Sequence, residues 1–324
     1  MTLDSTAIRC ECLPVVSHAQ HLLTLDDVDH DAIAQVFSLT ESLKAKHSRG
    51  IREAALRGRV MALLFGRAAP FTRACFEISM AQLGGHSMVL DTDPGVGYRE
   101  APHDFSRVLG RFADIAVLGN WSHPVVAGFA ADCPCSVINA GSQLSYPSQI
   151  LADVYTLQEC LGRLGGRTVS VVGDGNSPMA QTLAIACVKL GMRFVLAAPE
   201  GCQFKDEFMS QLVRTAPQGE VQIIPDPQKA VNGAAVVYAS PWTGAESTAD
   251  GKCGCVDFTT YRVDDKLMAC APCGAFFMHG LTASPGSEVA KSVLESPQSM
   301  VNRQIENRLH LIKGLCLWLL KPPS

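Results

Sequence analysis

Apolar residues follow two rhythms along this chain, short buried runs and longer stretches with helical spacing. GRVMALLFG (58–66) reads as a buried strand, TRACFEISMAQLGG (72–85) as a helix stopped by glycines, and HSMVLDTD (86–93) as a second strand. HDFSRVLGRFA (103–113) then predicts a helix, DIAVLGN (114–120) a third strand and CSVINAG (135–141) a fourth. Ahead of them, His21 to Lys46 carries apolar positions at helical spacing behind the turn-like LDDVDHD, which predicts a first helix.

A helix from Pro147 through Leu164 leads into a second series. TVSVVGDG, RFVLAAP, VQIIPD, AAVVYAS and AFFMHG read as strands, with SPMAQTLAIACVKLG and FKDEFMSQLVRTA as helices between them. Such alternation is the pattern of parallel sheets covered on both faces, so the expected class is α/β with two parallel-sheet domains and flanking helices. The break near Gln149 to Gly165 predicts one domain over 1–150 and another over 151–298, and Ser299 to Leu320 predicts a long amphipathic helix within 299–324.

Composition narrows the function. With 324 residues the chain is long enough for two cores, and 47% hydrophobic against 18% charged residues describes a well-folded globular protein. The net charge of −4 gives no basic excess for nucleic acid. No apolar run is long enough to span a bilayer and MTLDSTAIRCECLPVV lacks a signal pattern, so we expect no membrane partner and a cytoplasmic location.

Thirteen cysteines raise metal and disulfide readings, and Cys253-x-Cys255 with Cys270-x-x-Cys273 has spacing that a four-thiolate zinc site could use. The odd count argues against a disulfide framework. KLMACAPCGAFFMHG reads as helix, turn and buried strand, where free cysteine acts as a small apolar residue, so no metal is expected. Gly173-Asp-Gly175 lacks the third glycine of a dinucleotide fingerprint, and RFVLAAPEG offers no acidic residue for a ribose hydroxyl. No cofactor is expected.

The most informative segment is FGRAAPFTRACFEISMAQLGG (65–85). Downstream, in order, stand Val108-Leu109-Gly110-Arg111, VINAGSQLSYPSQILADVYT, GDGNS, VVYASPW, FMHGLTASPGSEV and IENRLHLIKG. Together these blocks resemble the aspartate/ornithine carbamoyltransferase family, ornithine type, whose phosphate segment runs F-x-x-x-S-T-R-T-R-x-S-F-E before a helix ending in G-G. Phe65, Thr72, Arg73, Phe76, Glu77 and Gly84-Gly85 fit that pattern. The resemblance implies a small-molecule substrate, a terminal helix returning to the first domain, and a homotrimer in which a loop, here Asp93 to His103, reaches the neighbour's site.

Residue by residue, the resemblance implies that Thr72 and Arg111 touch the carbonyl oxygen and phosphate, and that Gln149 binds the carbamoyl nitrogen. It implies a backbone contact from Leu281 and an arginine, Arg308, near the carbamoyl group. Tyr146 stands at the histidine of H-P-x-Q and His279 at that of H-C-L-P, completing a candidate catalytic set of Arg111, Tyr146, Gln149 and His279. The implied substrate-binding set is Phe71, Thr72, Arg73, Asn176, Ser177, Ser240, Trp242, Leu281 and Arg308. Plainer readings stand beside these: Arg111 capping helix carbonyls, Tyr146 packing, His279 a satisfied core histidine, Phe71 filling the volume left by phosphate.

The departures are uneven. Ala69, Pro70 and Phe71 take the Ser, Thr and first Arg positions of the phosphate segment, removing two hydroxyls, one N–H and one guanidinium. Gly280 replaces a cysteine and Pro285 an arginine, Ser177 an asparagine, and Ser240-Pro241-Trp242-Thr243-Gly244 lacks the carboxylate of the ornithine-type motif. We therefore expect C–N bond chemistry at a carbamoyl, ureido or guanidino carbon of an amino-acid-like substrate, in specialised metabolism, without ordinary ornithine transfer. The alternatives are a carbamoyl-phosphate-dependent enzyme using Arg67, Arg73 and Arg111, and a non-catalytic binding scaffold.

Overall fold

The computed structural model describes residues 20–90, 102–216, 219–242, 256–280 and 287–320. Leu281, Pro285, Thr243, Gly244, the Cys253/Cys255 pair and most of the Asp93 to His103 loop lie outside the described residues.

The first helix starts at the end of the turn-like LDDVDHD, as the sequence predicts. Leu22 bridges Ile138, a 3₁₀ turn covers Leu25–Asp27, and α1 runs His30–Ser48. Side chains divert the backbone here: Asp27 Oδ2 accepts from the Leu23 and Thr24 N–H groups at 2.7 Å, and Asp29 caps α1 by accepting from Ala32 N at 2.8 Å.

The remaining elements of the first half are β1 (Val60–Phe65), α2 (Pro70–Gln82), β2 (His86–Leu90), α3 (Pro102–Leu109), β3 (Ile115–Trp121), α4 (His123–Ala131), β4 (Ser136–Ser142) and α5 (Pro147–Leu161). The second half holds β5 (Thr168–Val172), α6 (Pro178–Lys189), β6 (Arg193–Ala197), α7 (Asp206–Thr215), β7 (Glu220–Ile223), α8 (Pro227–Val231), β8 (Val236–Ala239), α9 (Asp265–Cys270), β9 (Phe276–His279), α10 (Lys291–Leu294) and α11 (Val301–Leu319). Cys270 and Cys273 are exposed, not buried as expected, because α9 ends at Cys270 and the turn before β9 lies on the surface.

All strand pairings are parallel, in a four-stranded sheet ordered β2-β1-β3-β4 and a five-stranded sheet ordered β7-β6-β5-β8-β9. Each order reverses once, between β1 and β3 in the first sheet and between β5 and β8 in the second. Open parallel sheets bind ligands beyond the carboxyl ends of their strands at such reversals. That rule alone singles out the chain after Phe65, Trp121, Val172 and Ala239.

Helix α11 leaves the second sheet and packs on α1, α2 and α5 of the first. It comes close to α1 at Gly314, where a Cβ would stand 3.0 Å from the Thr40 N and Val36 O backbone atoms and nearer still to the Thr40 hydroxyl. Gly314→Ala should therefore push the two helices apart and lower the unfolding free energy by about 1–3 kcal/mol, read by chemical denaturation.

Candidate active site

Strand β1 delivers the chain to a helix start with little polar chemistry. Ala69 is the N-cap of α2 and has no side-chain acceptor, while Pro70 at the first helical position has no N–H. Around it opens a cavity of about 600 Å³ lined by Ala68, Ala69, Pro70, Phe71, Thr72, Cys75, Ile305 and Arg308. Phe71 is 69% exposed beside that cavity. The carboxyl ends of β1 and β3 are tied together, with Asn120 in the left-handed region (φ 60°) donating to Arg67 O at 3.3 Å and Trp121 donating to Leu64 O at 3.1 Å. The Phe65 ring lies against Gly119, where a Cβ would come within 2.5 Å of it.

Behind the apolar mouth stands a buried polar network. Arg308, on α11, donates from Nη2 to Thr72 Oγ1 at 2.9 Å, and its Nε has no partner among the described residues. Asp153, fully buried on α5, accepts at Oδ1 from Gln149 Nε2 (3.0 Å) and Gln304 Nε2 (2.8 Å), and at Oδ2 from the Tyr238 hydroxyl (2.8 Å). Burial raises the Asp153 carboxyl to about 6, against the pull of those three donors and of Arg308. Burial also pushes the Tyr238 phenol well up, helped by Asp153, and pushes the Cys75 thiol and Tyr146 phenol up against the pull of Arg308. Arg308 is thus the cation that Cys75, Asp153, Tyr238 and Tyr146 all feel.

Gln149 acquires a defined direction from this network. With its Nε2 held by Asp153, its Oε1 is buried without a partner among the described residues, an acceptor open to an N–H. Tyr146 precedes α5, and its ring covers Gly141, whose φ of 138° and distance of 2.5 Å between an added Cβ and the ring leave no room for a side chain.

Several expected site residues stand elsewhere or are engaged. Ser177 caps α6 by accepting from Ala180 N, and its hydroxyl lies 2.8 Å from that of Ser240, which donates to Asp174 O. His279 is fully buried with Nε2 3.0 Å from Glu288 Oε1, and its backbone is clamped by Gln304. Arg73 pairs with Glu77 along α2 at 2.6 Å. Asn176 Oδ1 and Trp242 Nε1 are buried without partners among the described residues, so both retain capacity toward a ligand.

Arg111 is not brought to the site. It is exposed in the turn before β3, at the opposite end of that strand from Trp121, and a seven-residue strand spans about 20 Å. Arg111→Ala is accordingly expected to leave turnover or ligand affinity within about twofold of the unaltered chain, as surface substitutions do. The sequence reading missed Asp153, Tyr238 and Gln304. Each carried a signal: Asp153 lies four residues after Gln149 in an otherwise apolar helical turn, Gln304 lies four before Arg308, and Tyr238 is the one phenol in a buried strand.

Comparison with known families decides the kinship. Residues 20–159 match the profile described as aspartate/ornithine carbamoyltransferase, carbamoyl-P binding domain, and residues 165–319 match the aspartate/ornithine carbamoyltransferase, Asp/Orn binding domain. The chain belongs to the aspartate/ornithine carbamoyltransferase family. It is 35% identical over 299 residues to the ornithine carbamoyltransferase of Gloeobacter violaceus, covering 91% of this chain and 93% of that protein. It is 36% identical over 296 residues to that of Nitrosococcus oceani, covering 91% and 95%. The solved ornithine carbamoyltransferase of Pyrococcus furiosus superposes with a TM-score of 0.87 at 33% identity, over 92% of this chain and 96% of that one. Membership makes the chain a carbamoyltransferase-family transferase, and among its described residues no helix is long and apolar enough to cross a membrane.

Proposed function

We propose that this family member catalyses C–N bond chemistry at the carbon of a planar carbamoyl, ureido or guanidino group on an amino-acid-like substrate, with ordinary ornithine transfer from carbamoyl phosphate disfavoured. The observation that carries the reading is a contrast within one site. Arg308 and Thr72 line the cavity and the buried Gln149–Asp153 pair belongs to the network around Arg308, groups suited to a planar C=O and its N–H, whereas the start of α2 offers Ala69, Pro70 and Phe71 where a phosphate needs donors. A charge-assisted hydrogen bond contributes about 1.5–3 kcal/mol, so loss of several weakens a dianion by orders of magnitude.

In the reaction, an amine attacks the planar carbon, a C–N bond forms as the bond from that carbon to the leaving group breaks, and the leaving group departs with its electron pair while the amine's proton passes to it. Charge gathers on the former carbonyl oxygen, where the Arg308 guanidinium is the strongest donor at hand. Gln149 Oε1 accepts from the substrate N–H, and Asp153 fixes that amide by holding its other end. On the acceptor side, Ser177 and Ser240 satisfy each other, which supports a change from an ornithine-type α-ammonium. We further propose a homotrimer and a role in specialised biosynthesis.

A second reading, a carbamoyl-phosphate-dependent transferase with a rearranged phosphate site and a different acceptor, is favoured by the names of the relatives at about 35% identity. A third, a non-catalytic binding scaffold, would leave the chain without turnover. Incubation with carbamoyl phosphate and a panel of amines separates the second reading from the other two, and turnover of a ureido, guanidino or carbamoyl substrate separates the first from the third. We expect phosphate release no faster than uncatalysed decay; release at rates ordinary for enzymes, about 1–10³ per second, would establish the second reading instead.

A further inference from the structure

We infer that the group occupying this site is an electrically neutral ureido or carbamoyl head carrying an apolar substituent, and that the substituent seats on Phe71 at the mouth of α2. The inference rests on the proposal that the site holds a planar N–C(=O) group, and it adds what that group is attached to.

The cavity supports it in three ways. Its volume of about 600 Å³ lies in the range of small-molecule pockets, which combine apolar walls with a few placed polar groups. Ala68, Ala69, Pro70, Phe71, Cys75 and Ile305 supply the walls, while Thr72 and Arg308 are the polar groups among the lining residues. Phe71 at 69% and Ile305 at 50% exposure leave large apolar areas open beside that polar pair. A substituent covering them would be removed from water along with the side chains it meets, at roughly 25 cal/mol per Å² of apolar surface.

Charge selects the head. Above about pH 6 the Asp153 carboxylate offsets the Arg308 guanidinium, and the other groups around Arg308, namely Cys75, Tyr146 and Tyr238, are thiol and phenols. A neutral head preserves that balance. A guanidinium adds a second cation beside Arg308 with no further carboxylate among the lining residues, and a phosphate meets an apolar wall.

Calorimetric titration of the full chain with phenylurea, unsubstituted urea, phenylguanidinium and carbamoyl phosphate tests this. Phenylurea should bind at least about tenfold tighter than urea and than phenylguanidinium, and Phe71→Ala should lower phenylurea affinity by about tenfold while leaving urea affinity unchanged. Equal affinities for urea and phenylurea would overturn the inference while leaving the planar-group reading intact. Absence of binding by every urea overturns it, and so does turnover of carbamoyl phosphate, which would also sink the reading beneath it. Should Phe71→Ala alter the oligomeric mass in light scattering without altering phenylurea affinity, the exposed ring belongs to a subunit contact and the inference fails.

Discussion

Replacing Arg308 with alanine is expected to lower kcat/KM on the true substrate, or affinity for a ureido ligand, by about 10²–10³, the usual cost of losing a donor to a developing oxyanion. Arg308 is only 8% exposed, holds Thr72 through one nitrogen, and keeps its Nε free among the described residues. A buried guanidinium with a spare donor is costly unless a ligand uses it. Arg308→Lys should not rescue activity, because an ammonium cannot present two donors in one plane to both Thr72 and substrate. Thr72→Val removes the hydroxyl that orients the guanidinium and should cost less, raising KM more than it lowers kcat. Circular dichroism should confirm that each variant remains folded. Affinity and rate within twofold of the unaltered chain for folded Arg308→Ala would remove Arg308 from the site.

Most of the scaffold is legible in the sequence. Runs such as GRVMALLFG and AAVVYAS became β1 and β8 because continuous burial on both faces of a parallel sheet demands continuous apolar sequence. Helix α4 was not anticipated as a separate element, since HPVVAGFAA is apolar almost throughout and has no 3.6-residue rhythm to betray it. The chain from His21 to Asp29 stays out of α1, which starts at the end of the turn-like LDDVDHD, because side-chain oxygens of Thr24, Asp27 and Asp29 compete for backbone N–H groups.

The candidate site divides along a similar line. Thr72, Tyr146, Gln149 and Arg308 lie inside contiguous motifs, and the fold gathers them because those motifs follow β1 and β4 or sit on the returning α11. Arg111 also lies in a matching motif, yet strand direction carries it to the far edge of the sheet. Asp153 was missed for a different reason. Its partners Tyr238 and Gln304 come from 85 and 151 residues away, so its role exists only after folding.

That buried carboxylate carries the second large effect, and its direction follows from burial. Asp153 is raised from 3.8 to about 6. Between those values the folded chain holds a proton that the unfolded chain has released. The stability contributed by this group is therefore complete below about pH 3.8 and falls as the pH climbs to about 6. At about 1.4 kcal/mol per pH unit the loss is about 3 kcal/mol. Asp153→Asn isolates it, because the asparagine Oδ1 can accept from both Gln149 and Gln304 while its amide donates to the Tyr238 hydroxyl, which accepts as readily as it donates. The variant lacks the titrating proton, and the offset from leaving Arg308 without its carboxylate is the same at every pH. Chemical denaturation of both proteins at fixed concentration from pH 4 to 7.5 should show the unfolding free energy of Asp153→Asn gaining about 2 kcal/mol relative to the parent chain across that span. A pH-independent difference would mean that Asp153 is ionised throughout, that Arg308 and the three donors outweigh its burial, and that the site holds a permanent carboxylate instead of a proton reservoir.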